Sequence, residues 1–480
     1  MSSYHIYQHI LNFSEDGTVL KPTPRRRKFK KSVDGCLNCK KRRKKCDETK
    51  PECKNCIRRG IECRWPAHVN SKAQDDKLLD QLISIQEEDI RQEEAVSSEE
   101  TLCYDAFVSV FLSSITPAHC HPLLSPMSIL LPYAVTNSTV KEIFLACGAT
   151  IMAYADDSFI QRAHIRYHNA LNLLISDIQK SKDGCEDHLF ISVQLLQTLC
   201  LRDKTLGLSA TKSAAHISAA YEILKKRFAK ELKISPLDRI LTEHFVFNYP
   251  ITLMMCHHGK LSAVPSPFSF YSQFGKSLET PLNDCSSDPW LDHPILGVGL
   301  KAHEISAKCT WMCRVKELPL SLEDLTICKR LLEEATENLQ RLKSIPMYSL
   351  EKAQKQTLSF SKTVIYASLI LLTKLCNNRA RTEDVQKELK LLLDEVLYSK
   401  QLDDDYFQSI WAMFIAGSVC IDPGQRLFIS ERFRKVSSML HSSLSEKVLR
   451  YLEMVWGEEE DKQVGLDFLF DTTMLDIVCS

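Results

Sequence analysis

The sequence predicts an all-α protein: a small metal-stabilised module followed by a large all-helical domain. Three observations carry this. Six cysteines between positions 36 and 63 stand in a C-x₂-C-x₆-C-x₆-C-x₂-C-x₆-C pattern. From about residue 101 onward apolar residues recur at helical spacing, and no strand-like alternation recurs. Glycine is scarce, 14 in 480 residues, so few helices are interrupted. A chain of this length accommodates two or three units.

The cysteines come first. They are Cys36, Cys39, Cys46, Cys53, Cys56 and Cys63. Each C-x₂-C puts two thiolates within reach of one metal ion, and a cysteine further on can complete a tetrahedron. Thiolates with no histidine among them favour zinc or an iron–sulfur cluster. Six ligands are too many for one tetrahedral zinc and too few for two independent ones; two zinc ions sharing two thiolates close the count. The stretch holds just Leu37, Ile57 and Ile61 as aliphatics, so metal binding must supply the folding energy. A zinc knuckle with no nucleic-acid role is the plainer alternative.

Charge argues against that alternative. The chain is formally neutral, yet residues 21–64 hold 18 Lys and Arg against 5 Asp and Glu. One concentrated basic segment in a neutral chain points to a local polyanion-binding module. Lys40, Lys41, Arg42, Arg43, Lys44 and Lys45 fill the space between two cysteines, and Asp47 follows Cys46.

Spacing, basic run, the Cys46-Asp47 pair and Pro51 together resemble the binuclear zinc cluster of fungal transcription factors. The resemblance implies two zinc ions per chain, bridged by Cys36 and Cys53, with Cys39 and Cys46 completing one site and Cys56 and Cys63 the other. It implies a short helix over Lys40–Lys45 whose N-terminal end enters the major groove of double-stranded DNA. Arg42 and Arg43 match base-reading positions for a CGG-like triplet. Lys40, Lys41, Lys44 and Lys45 match phosphate-gripping ones, with Arg58, Arg59 and Arg64 in support. Lys40 stands where the family more often has arginine, which keeps charge and loses bidentate geometry. One module reads too few base pairs to find a gene, so homodimerisation or a partner is needed.

Around the module, residues 1–33 form a basic N-terminal arm. Its Arg25, Arg26, Arg27, Lys28, Lys30 and Lys31 suit nuclear import or phosphate contact. The module spans 34–66, and 67–100 is a linker. Leu78, Leu82 and Ile85 offer under two heptads of a pairing helix, against an ordinary linker helix. The acid-rich 87–100 is expected to be solvated.

The helical domain spans 101–480. Ala163, Tyr167, Ala170, Leu171, Leu174 and Ile178 mark one helix face; Leu325, Cys328, Leu331, Leu332, Ala335, Leu339 and Leu342 mark another, opened by Ser321 and Asp324. Leu189–Leu201 is apolar nearly all round, as a central helix is. The 13 further cysteines, scattered from Cys103 to Cys479, read as buried thiols of a reducing compartment, Cys309 and Cys313 among them. The longest apolar run, Val364–Leu372, is about half a membrane span. The expectation is a soluble intracellular protein with no membrane partner.

Leu131–Tyr154, Tyr167–Leu171 and Trp411–Gly417 are similar to the second type of fungal-specific transcription factor domain, a helical regulatory region. The tryptophan usual before a segment such as Ala215-His216 is absent, and Ala219 replaces a usual glycine. The resemblance implies a nuclear regulator of RNA polymerase II genes, transcriptional coregulators as partners, and a body that admits a small-molecule effector. The alternatives are an adaptor or repressor whose body only binds proteins, and a helical enzyme fused to a zinc module.

For the enzyme, no G-x-S-x-G, phosphate-binding loop or dinucleotide fingerprint appears. Asp403-Asp404-Asp405 reads as a solvated helix start in preference to a magnesium site. Of His257 and His258, adjacent on a helix, one is expected in the core and one outside. Residues 262–300 are too rich in proline for helix, and Phe268, Phe270, Tyr271 and Phe274 pin a long loop there in preference to lidding a pocket. Acidic and apolar residues alternate in the tail after Gly457. That suits a disordered activation segment, but eight large apolar groups within 466–478 favour packing on the body.

Overall fold

A computed structural model describes residues 35–42, 44–65, 98–230, 234–282, 288–406, 408–457 and 465–479. The chain forms two compact units, a small one holding the cysteines and a large one running from Glu99 to Ser480. The described residues contain helices and turns and no strand. The positions of the proposed pairing helix, Leu78, Leu82 and Ile85, lie outside the described residues, as does the basic arm.

The small unit has two short helices, α1 (Leu37–Lys41) and α2 (Lys54–Ile57). Leu37, Ile57 and Ile61 are exposed, while Cys36, Cys39, Cys46, Cys53 and Cys56 are buried. The interior of the module is made of sulfur.

In the large unit, α3 covers 98–114 and contains a π-helical turn over Phe107–Leu112. There follow α4 (Pro126–Thr136), α5 (Ser138–Ala155), α6 (Ile160–Lys180), α7 (Asp187–Arg202), α8 (Ala210–Lys230) and α9 (Pro236–Met255). With α3 and α10 (Pro267–Glu279) they enclose one apolar core. The buried residues of α6 are Ala163, Tyr167, Ala170, Leu171, Leu174 and Ile178, the face read from spacing, and every residue from Leu189 to Leu201 is buried in α7. Gly148 of α5 lets α3 pass: a Cβ there would stand 1.7 Å from the Cys103 carbonyl oxygen.

A second core forms from α12 (Leu300–Val315), α13 (Leu322–Ser344), α14 (Lys352–Cys376), α15 (Gln386–Leu402), α16 (Ile410–Ser418), α17 (Pro423–Leu440) and α18 (Ser443–Gly457). The ends of α9 and α12 contribute to both cores. Helix α13 starts where expected, with the Ser321 side chain accepting from the Asp324 N–H. It buries Cys328, Leu331, Ala335, Leu339 and Leu342, leaving Leu325 and Leu332 half-buried. Cys309 and Cys313 are core thiols. Helix α14 is long and apolar enough to cross a membrane, but it is buried among its neighbours, as a core helix is.

Four expectations need correction. Residues 262–300 are not helix-free: α10 and α11 (Pro289–Asp292) both begin on proline, capped by Ser266 and Asp288. A first-turn proline gives up no helical hydrogen bond, so the prolines start these helices. Phe270, Tyr271 and Phe274 are buried in the first core, the pinning role in helical form. Asp403 ends α15 and does not start a helix; Asp404 pairs with Arg432 at 3.2 Å and with Lys435. His257 and His258 lie just beyond α9, which stops at Met255, and both are exposed. Glu99 and Glu100 are not free in solvent: Glu99 meets Arg166 at 3.3 Å, and Glu100 meets Lys141 at 2.8 Å.

The C-terminal segment packs. Helices α19 (Gly465–Phe468) and α20 (Thr472–Cys479), with the turn between them, place Leu466, Leu469 and Leu475 in the second core. The Tyr451 hydroxyl donates to the Phe468 carbonyl at 2.9 Å, and the buried Arg314 reaches Asp476 at 3.3 Å. At Gly465 a Cβ would stand 1.9 Å from the Ser418 carbonyl oxygen.

Candidate metal centre and nucleic-acid interface

The small unit is built twice over from one local design, offset by 17 residues. Cys36 caps α1 and Cys53 caps α2. The Lys40 N–H donates to the Cys36 carbonyl at 3.0 Å, and the Ile57 N–H to the Cys53 carbonyl at 3.1 Å. After each helix the chain turns back, with Lys44 N–H on the Cys39 carbonyl and Ile61 N–H on the Cys56 carbonyl, at 3.1 and 3.2 Å. Gly60 makes the second turn at φ +60°, a conformation glycine adopts without strain. Each turn delivers a last cysteine, Cys46 or Cys63.

The halves meet through sulfur. Cys36 Sγ lies 3.7 Å from Cys53 Sγ and 3.7 Å from Cys56 Sγ, and Cys39 Sγ lies 3.6 Å from Cys53 Sγ. Zinc–sulfur bonds of about 2.3 Å in a tetrahedron put sulfurs about 3.8 Å apart, so the spacing fits zinc. The sulfur neighbours of Cys39 are Cys36, Cys53 and Cys46, and those of Cys56 are Cys53, Cys36 and Cys63. The sulfurs of Cys36, Cys39, Cys53 and Cys56 all lie within 4.8 Å of one another. The crowding also asks for a cation. Burial and the neighbouring Cys36 and Cys53 push the Cys39 thiol up to about 12, and burial with the same crowding raises Cys56 as well. Thiols so placed become thiolates together when a metal offsets their charge.

Two asparagines outside the cysteine and basic motif hold this arrangement. Asn38 Nδ2 donates to the Glu62 carbonyl, and Asn55 Nδ2 donates to the Lys45 carbonyl at 2.8 Å. Each asparagine thus fixes the residue before the other half's last cysteine. The signal was present as the repeated C-x-N-C, Cys36–Cys39 and Cys53–Cys56. Asp47 ties the halves further: its Oδ2 accepts from Lys54 N–H in the first turn of α2 at 3.1 Å and from the Thr49 hydroxyl at 2.6 Å. The Thr49 bond, with that backbone N–H, holds its carboxyl below the usual carboxylate range.

The basic run requires a correction. The helix covers Leu37–Lys41 and not Lys40–Lys45, and its N-terminal end is fastened to the sulfur cluster through Cys36. The cations gather at the other end: Lys40 and Lys41 in the last turn, Arg42 at the C-cap, Lys44 and Lys45 beyond it. That end carries the negative pole of the helix dipole, which cations offset. Lys40, Lys41, Lys44 and Lys45 are exposed and Arg42 is half-buried; Arg43 lies outside the described residues. In the second half Arg58 and Arg59 are exposed, and Arg64 is drawn onto Glu62 at 2.9 Å.

Two C-x-N-C turns whose sulfurs converge define a metal-binding cysteine module. A family model for the fungal Zn(2)-Cys(6) binuclear cluster domain matches residues 34–72, and one for the fungal specific transcription factor domain matches residues 102–476. The chain belongs to the fungal-specific transcription factor family. It is a DNA-binding transcription regulator whose cluster binds two zinc ions. No curated protein and no solved structure gives a significant match to the chain.

Proposed function

We propose that this protein recognises CGG-like triplets in double-stranded DNA and regulates RNA polymerase II genes from the nucleus. Cys36 and Cys53 bridge the two zinc ions, Cys39 and Cys46 complete one site, and Cys56 and Cys63 the other. The zinc ions supply folding energy that so small an apolar content cannot. The observation that carries the reading is the C-terminal end of α1, where Lys40, Lys41, Arg42, Lys44 and Lys45 gather at and just beyond a helix anchored at its other end. Arg42, with Arg43 next in sequence, reads base edges; the lysines grip phosphates. Residues 1–33 add a basic arm, 34–66 the reading module, 67–100 a linker, and 101–480 a regulatory body. That body binds coregulators and a small-molecule effector. Homodimerisation, or pairing with another factor, doubles the site read.

Fluorescence anisotropy with a CGG duplex and a scrambled duplex tests this. Arg42→Ala is expected to lose about 1–3 kcal/mol of preference for CGG. Lys45→Ala is expected to weaken both duplexes alike and to lower the log–log salt slope by about one. Equal affinity of the unaltered protein for both duplexes would refute the reading.

A further inference from the structure

The large unit holds a cleft of about 980 Å³. Its walls come from three separate stretches: the 203–209 turn between α7 and α8, the residues after α9, and α18. The charges in these walls do not cancel. Each carboxylate has a partner of its own. Asp203 turns back on its loop and accepts from the N–H groups of Thr205, Leu206 and Leu208 at 3.0, 2.9 and 2.9 Å. Glu446 accepts from the Tyr154 and Ser437 hydroxyls and lies 3.6 Å from Lys204. Glu453 meets Arg434 at 3.6 Å.

The lining holds four cations, Lys204, Lys260, Lys447 and Arg450, against the three carboxylates, and two of the four stand apart. Lys260, after α9, and Arg450, on α18, are exposed, and neither has an acidic partner among the described residues. The start of α8 lies in the same wall, where first-turn N–H groups lack helical acceptors and carry partial positive charge. Leu208 and Leu449 add an apolar surface. The volume is that of a metabolite site, well beyond what a single inorganic ion fills.

We infer that this cleft is the effector site of the regulatory body, and that it takes a small molecule bearing at least two negative groups, carboxylate or phosphate. Lys260 and Arg450 hold those groups, and the apolar part of the ligand rests on Leu208 and Leu449. The inference depends on the body being an effector-binding one, as proposed above. It also supplies a route outward: His257 lines the cleft, and its Nε2 lies 3.5 Å from Asp476 of α20. An occupant therefore reaches the contact that fastens the C-terminal helix.

Isothermal titration of the full-length, zinc-loaded protein with citrate, and separately with pyrophosphate, tests this, with glucose as the uncharged control. Saturable binding of one or both anions is expected, with glucose inert, and the better probe identifies the preferred group. Lys260→Glu and Arg450→Glu each change an exposed side chain, so the fold should survive, which circular dichroism checks. Each is expected to weaken anion binding about tenfold or more. No binding of either anion, or equal binding by the variants, overturns the inference. The same preparations are titrated with the CGG duplex. DNA binding retained while the anions fail removes the effector site alone, whereas lost preference for CGG removes the DNA reading.

Discussion

Ending the chain after residue 464 is expected to cost the regulatory body most of its stability. The deletion removes Leu466, Leu469 and Leu475, each at most 1 % exposed. At about 1.5–3 kcal/mol for each fully buried leucine, their loss amounts to about 5–9 kcal/mol. It also takes Asp476 from Arg314, whose side chain is fully buried. Stripping one partner from a buried ion pair costs about 3–5 kcal/mol. Domains are stable by about 5–15 kcal/mol, so the truncated body should be unfolded or close to it at 25 °C. A milder perturbation, Leu469→Ala in the full chain, should cost about 2–5 kcal/mol. Urea denaturation followed by circular dichroism reads both. A truncated chain with an unchanged midpoint, together with reporter activation by residues 465–480 on a foreign DNA-binding domain, would refute the argument and make the tail an activation segment.

The other predictions concern metal and pH. Cys36→Ser should abolish binding of both zinc ions, whereas Cys63→Ser should leave about one per chain, because only the first is proposed to bridge both ions; elemental analysis of purified variants decides this, and an equal loss in both would contradict a bridging Cys36. Burial holds His216, His244 and His303 of the body at about 4. Unfolded histidines protonate near 6.5, so between pH 6.5 and 4 the unfolded state binds the extra protons. Stability should therefore be fully present above pH 6.5 and fall on acidification by about 1.4 kcal/mol per pH unit for each histidine. His244→Gln, at the ring that accepts from Asn248 Nδ2 at 3.2 Å, should flatten that slope by about one proton's worth. Denaturation midpoints equal at pH 5 and pH 7 would refute the assignment.

Much of this was legible because the signals were periodic. The inward face of α6 and the all-round burial of α7 follow from spacing alone, since a helix repeats every 3.6 residues whatever it packs against. The cysteine pattern was equally readable, since metal chemistry fixes both residue type and interval. Context decided what spacing could not. Proline in 262–300 looked like a helix breaker, but whether it sits at a first turn depends on Ser266 and Asp288 placing the caps. The bounds of α1 differ from the basic run because a string of lysine and arginine does not say where a cysteine cap starts the helix. Asn38 and Asn55 are marked only by the repeated C-x-N-C, because their partners are backbone carbonyls 24 and 10 residues distant and a carbonyl leaves no mark in the sequence. The exposure of His257 and His258 depended on α9 stopping two residues earlier.

The central claim is that a sulfur-built module reads CGG triplets from the C-terminal end of α1, and selection from a pool of random duplexes with the full-length, zinc-loaded protein tests it most directly. Enrichment of CGG-like triplets, lost on chelation of zinc and blurred in Arg42→Ala, is the predicted result. Enrichment of an unrelated sequence, or retention of duplexes without any shared triplet, would contradict it.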